Sequence, residues 1–231
     1  NNLFIVLPVL LYHAGMLIVA IHGGLGNQMF QYAFGYSIQK QKQTRLLLDT
    51  TMFNEKTIHN GFELTRLFSI ETSVATPGEI KQLIRWRATR VGREIMARRR
   101  YGILRGKRYF KEEAPIYNEN IWSLPSDCYL TGYWQSEKYF YMHEEAIRNI
   151  YSFKTQMSEK NNSIAEEINK CNSIAVHIRR GDTATTEGIT ESIMARFPME
   201  YYNNALEYMK KRVDNPVIFV FSDDSEWARS S

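Results

Sequence analysis

The chain has 231 residues, 44% of them apolar and 23% charged, which suits one large core or two small ones and excludes a disordered or fibrous protein. Its formal charge of +4 is modest overall but unevenly placed along the chain. The two cysteines, Cys128 and Cys171, give neither a disulfide framework nor paired metal-ligand spacing, as expected of a reducing compartment.

The first 15 residues contain the apolar run Leu3 to Leu11, nine residues long, whereas a bilayer-spanning helix needs about 20. No basic leader or cleavage site accompanies it, and lengthening it would absorb Leu17 to Ile21, the first strand. Residues 1–15 are therefore read as an extension and Met16 as the functional start, with a Golgi-type signal anchor as the alternative reading.

Leu17 to Ile21, then Gly23-Gly24-Leu25-Gly26, then a helical pattern make a strand, a glycine loop and a helix. Met29, Phe30, Ala33, Phe34 and Ile38 fall on one helical face. The loop has neither the lysine of a phosphate-binding P-loop nor the order of a dinucleotide fingerprint. Two readings stay open for it: a close backbone approach to a ligand at a helix N-terminus, or a tight turn in which Asn27 caps the helix. Arg45 to Asp49 reads as a second parallel strand, and Thr76-Pro77-Gly78-Glu79 as a capping box with proline at the first helical position.

Ten arginines and lysines lie between Arg85 and Arg108 against the single acid Glu94. With few aromatics there for base stacking, nucleic acid is disfavoured; an anionic membrane surface and a solvated face remain as alternatives. Tyr129 to Trp134 reads as a strand running into an aromatic turn, where Tyr133 and Trp134 either stack on a sugar or pack a core. Helices follow at His143 to Ile150 and Ile164 to Lys170, with the crossover between two domains placed in 140–172.

Ser173 to Ile178 reads as a buried strand that ends abruptly in His177, Arg179, Arg180, Gly181 and Asp182. In open α/β sheets ligands bind outside the carboxyl ends of the strands, and two adjacent guanidiniums suit a diphosphate. Strand alternation points the two arginines to opposite faces, and the alternative reading pairs Arg179 with Asp182 and leaves Arg180 for a ligand. A loop, 183–196, a helix from Met199 to Arg212 and the strand Val217 to Phe221 complete a βαβ unit, with Ser222, Asp223 and Asp224 at its end.

His177-Ile-Arg179-Arg180-Gly-Asp182 resembles the HxRRxD motif of the α-1,2-fucosyltransferases, glycosyltransferase family 11. Gly23 to Tyr32, Gly132 to Phe140 and Phe221 to Asp224 resemble further blocks of that family in the same order. The resemblance implies two Rossmann-like domains in a GT-B-like α/β arrangement: 16–150 on the acceptor side and 151–231 holding GDP-fucose. Because the family continues beyond the block at Trp227, the second domain is expected to be incomplete. A catalytically inactive nucleotide-sugar-binding fragment is the rival reading.

The implied reaction moves L-fucose from GDP-β-L-fucose to the 2-hydroxyl of a terminal galactose on a glycan or glycolipid, with inversion. His177, Arg179, Arg180, Asp182, Gly24, Gly26, Asn27, Gln28, Ser222, Asp223 and Asp224 are the implied substrate contacts. Arg180 and Asp182 are the catalytic candidates, with His22 a second candidate base. No Asp-x-Asp occurs, so a metal-independent enzyme without cofactor is expected, the arginines carrying the leaving-group charge. The expected location is cytoplasmic, peripheral at the inner membrane face through Arg85 to Arg108.

Overall fold

The computed structural model describes residues 15–55, 60–179 and 198–230. Arg180, Gly181, Asp182 and the loop at 183–196 lie outside the described residues, as does the extension at 1–14. The chain forms two compact units, Asn1–Thr155 and Gln156–Ser231.

Unit 1 is built on five parallel strands: β1 (Met16–Ala20), β2 (Arg45–Asp49), β3 (Ser73–Val74), β4 (Tyr109–Lys111) and β5 (Cys128–Thr131). Their order across the sheet is β3-β2-β1-β5-β4. Direction of winding therefore reverses between β1 and β5, and a crevice opens there outside the carboxyl ends. The apolar runs of β1 and β2 are buried on both faces, as a parallel sheet flanked by helices requires.

Alternation sorts the core by face. Leu17, Val19, Leu46, Leu48 and Leu130 pack with Phe34 and Ile38 of helix α1 (Leu25–Lys42) and with Trp134 and Tyr139. Ile18, Leu47, Tyr109 and Tyr129 face Ile80, Leu83, Ile84 and Met96, which arrive on later helices. Gly35 lets α1 lie against the sheet, since a Cβ there would stand 2.9 Å from Val19 and 3.1 Å from Leu46.

Short helices α2 (Met52–Glu55) and α3 (Leu64–Leu67) follow β2. The predicted capping box is present at α4 (Pro77–Ile84): Thr76 Oγ1 accepts from Glu79 N, and the Glu79 carboxylate accepts from Thr76 N at 2.8 Å. The basic stretch is not one helix but a 3-10 turn (Arg85–Ala88), α5 (Arg90–Ala97) and a 3-10 segment (Arg99–Arg105). Gly106, at φ 67°, ends it. Helix α6 (Glu144–Ile150) closes the unit.

Unit 2 holds α7 (Glu159–Asn169), the parallel strands β6 (Ser173–Ile178) and β7 (Val217–Ser222), and helices at Met199–Lys210 and Ser225–Ser230. The expectation of a fully buried β6 is corrected. Ile174 and Ile178 are buried, whereas Ala175 and His177 are exposed, because among the described residues β6 is covered on one face only. Val217, Val220 and Phe221 of β7 are likewise exposed.

Candidate functional site

At the carboxyl edge of β1 the chain turns through Gly23, whose φ of 79° is the left-handed conformation that favours glycine. Gly24 is the N-cap of α1 and supplies no side-chain cap, and an added Cβ on Gly26 would meet nothing within 4 Å. Open space thus lies over the start of an 18-residue helix, where backbone N–H groups attract anions and sugar oxygens.

Asn27 does not cap the helix. It sits inside the first turn, and its Oδ1 accepts from Gln135 Nε2 at 2.7 Å. Gln28, expected to touch substrate, has a fully buried side chain that binds the protein itself. Its Nε2 donates to Gly23 O at 3.0 Å and to Gly61 O at 2.8 Å, and its Oε1 accepts from Glu63 N at 2.9 Å. It clamps the glycine loop to the 61–63 segment.

A second buried amide, Gln31, escaped the sequence reading. Its Oε1 accepts from His22 N and its Nε2 donates to Gly132 O, both at 3.0 Å, so it ties the end of β1 to the end of β5 at the reversal of winding. The detectable signal was a polar pair spaced i, i+3 on the apolar side of α1.

His22 lies beside this clamp, its ring edge-on to Tyr133 at 4.8 Å and its two nitrogens 3.3 and 3.4 Å from Gln31 Nε2. Burial lowers its pKa, which favours neutral imidazole at pH 7. Tyr133 is exposed at this edge, whereas Trp134 is buried and stacked on Phe34 at 4.2 Å, which makes it core. The Glu112 carboxylate accepts from Tyr133 N at 2.6 Å and Trp134 N at 3.1 Å, and Trp134 sits at φ 55°.

Asp49, at the end of β2, is engaged from every side. Thr51 N, Thr51 Oγ1 and Tyr129 OH donate to it at 3.0, 2.6 and 2.7 Å, and the Arg93 guanidinium pairs with it at 3.1 Å. It braces β2, β5 and α5 rather than facing a ligand.

In unit 2 the register sets His177 opposite Phe221 and Ile178 opposite Ser222, so His177, Arg179 and the Ser222–Asp224 block share one strand edge. His177 and Arg179 are exposed. Two members of the block work locally: Asp224 N donates to Ser222 Oγ at 3.0 Å, and Asp224 Oδ1 accepts from Trp227 N at 3.1 Å, starting the terminal helix. Arg180 and Asp182 lie outside the described residues. Among the described residues no group of three or more metal-ligating side chains is assembled, and no helix is long and apolar enough to cross a membrane.

A parallel α/β frame with a glycine loop at one carboxyl edge and His177 and Arg179 at another can serve many chemistries, and the class is given by similarity to known proteins. Residues 16–231 match Glycosyl transferase family 11, and the chain belongs to that family. It is 33% identical over 217 residues to an alpha-1,2-colitosyltransferase of Escherichia coli, spanning 93% of this chain and 71% of the relative. It is 29% identical over 224 residues to the O-antigen biosynthesis glycosyltransferase WbnK of Escherichia coli, spanning 91% and 74%. Among solved structures it resembles NodZ alpha-1,6-fucosyltransferase soaked with GDP-fucose, with a TM-score of 0.48 at 14% identity over 94% of this chain and 74% of NodZ.

Proposed function

We propose that this glycosyltransferase moves a 6-deoxyhexose, L-fucose, from its GDP-linked donor to the 2-hydroxyl of a terminal galactose, inverting the anomeric centre. The observation that carries the reading is the shared strand edge of His177, Arg179 and the Ser222–Asp224 block in unit 2. In this reading unit 2 holds the nucleotide and unit 1 the acceptor, the two being Rossmann-like domains of GT-B type. Arg180, helped by Arg179 and His177, receives the diphosphate, since a planar guanidinium gives paired hydrogen bonds to phosphate oxygens.

The acceptor oxygen forms the new bond to the anomeric carbon on the face opposite the diphosphate. The carbon–oxygen bond to phosphate breaks, and its electron pair leaves on GDP, where Arg180 stabilises the growing charge. The acceptor proton passes to Asp182. His22 is the rival base: its lowered pKa leaves the imidazole neutral and able to accept a proton at pH 7. A metal is not needed, because the cations carry the leaving-group charge.

The 33% identical relative favours a second reading of the donor, colitose in place of fucose with the same α-1,2 linkage. The full chain should be assayed with GDP-fucose and GDP-colitose on a β-galactoside, with and without excess EDTA, and the product linkage read by NMR. An α-1,2-fucoside formed equally well in EDTA is the expected product. Preference for GDP-colitose would install the second reading, a different linkage would refute the acceptor position, and activity restored only by manganese would refute the leaving-group account.

A further inference from the structure

The carboxyl edge of the unit 1 sheet accounts for the glycine loop, but the opposite edge carries a feature the transfer reaction does not use. A cavity of about 280 Å³ lies between the end of α4 and the start of β4, lined by Arg85, Arg87, Arg105, Lys107 and Arg108 and by no carboxylate. Arg105 is more than nine-tenths buried; one arm is paired with Glu113 and Nε donates to Met96 O at 3.2 Å, yet Nη2 is buried with no hydrogen-bond partner. Five cationic side chains lining one cavity, one of them a buried guanidinium, make a lining that suits a phosphate.

The surrounding surface is apolar as well as basic. Ile103 is 91% exposed, and Trp86, Val91 and Leu104 are exposed too. Arg87 Nε donates to Leu104 O at 2.6 Å, which ties the turn bearing Trp86 to the segment bearing Ile103 and Leu104. Arg90, Arg93, Arg105 and Arg108 have acidic partners. Arg85, Arg87, Arg98, Arg99, Arg100 and Lys107 form no ion pair among the described residues.

We propose that this face docks on an anionic phospholipid surface, with a lipid phosphate in the basic cavity and Ile103, Leu104 and Trp86 entering the interface. Cations supply the attraction and the exposed aliphatics the insertion, a pairing that suits a bilayer and not a nucleic acid. The one exposed indole, Trp86, already lies against Arg87, and Tyr101 against Arg100, which leaves little for base stacking. Docking through this edge keeps the glycine-loop edge of the same sheet clear, and the inference is independent of the donor assignment.

The test is co-sedimentation of the full chain with phosphatidylcholine vesicles, with and without phosphatidylglycerol. Each cation near such a surface is worth about fivefold in partition, so the triple variant Arg85→Gln, Arg99→Gln, Lys107→Gln should bind the anionic vesicles about 100-fold less. Ile103→Ser, which leaves the charge of the face unchanged, should weaken vesicle binding and leave retention of a single-stranded oligonucleotide unchanged. Equal binding to neutral and anionic vesicles, indifference to Ile103→Ser, or tighter binding to the oligonucleotide than to the vesicles would each overturn the proposal.

Discussion

Replacing Gln28 by methionine keeps the volume of the side chain and removes its hydrogen bonds, which isolates the clamp on the glycine loop. Three backbone groups lose their partner: Gly23 O, Gly61 O and Glu63 N. Leaving a buried polar group unsatisfied costs about 1–3 kcal/mol. The Glu63 amide belongs to a buried residue and bears the full cost, whereas Gly23 and Gly61 are half-buried and recover part of their bonding from water. The sum is about 2–4 kcal/mol, and at about 2–4 °C per kcal/mol for a chain of this size Tm should drop by roughly 5–15 °C. Urea unfolding followed by tryptophan fluorescence reads the change, since Trp134 stacks on Phe34 in the same core. A loss below about 1 kcal/mol would show that the clamp does not hold the loop and would reopen Gln28 as a substrate contact.

Asp49→Ala should destabilise unit 1 by about 3 kcal/mol, because it strands the Arg93 guanidinium and the Tyr129 hydroxyl; Tyr129→Phe, which removes one bond, should cost about 1 kcal/mol, and equal losses in the two denaturation curves would contradict the network. Trp134→Ala should cost about 3–5 kcal/mol without altering acceptor affinity, and a selective rise in KM would return Trp134 to the sugar site. His22 has a folded-state pKa below its ordinary 6.5, so the unfolded chain binds the extra proton first and stability should fall as pH drops below about 6.5; His22→Asn should flatten that slope, and an unchanged pH dependence of Tm would rule His22 out as its source.

The strands that carry both motifs were legible because Leu17 to Ile21, Arg45 to Asp49 and Ser173 to Ile178 are apolar runs long enough to show themselves. Ser73–Val74 and Tyr109–Lys111 are two and three residues long, too short for any period, and they appear only once β2 and β5 offer an edge to pair with. The helical pattern of α1 was legible, but its inward glutamines were not, because patterning assigns polar residues to solvent. Gln28 and Gln31 are buried because the turns around them present carbonyl and amide groups that must be paired. The aromatic turn likewise left two readings for Trp134, which the tertiary stack on Phe34 resolves as core. At the arginine motif Arg180 and Asp182 rest on the family pattern alone, because they lie outside the described residues.

The central claim is that the arginine motif at the end of β6 binds the nucleotide of the donor. Calorimetric titration of GDP into the full chain and into Arg180→Ala tests it directly. A hydrogen bond to a charged group is worth about 1.5–3 kcal/mol, so GDP should bind the parent chain and bind the variant about 10- to 100-fold more weakly, with the melting curve of the variant unchanged. Equal GDP affinity in the two proteins would contradict the claim and remove the donor from this strand edge.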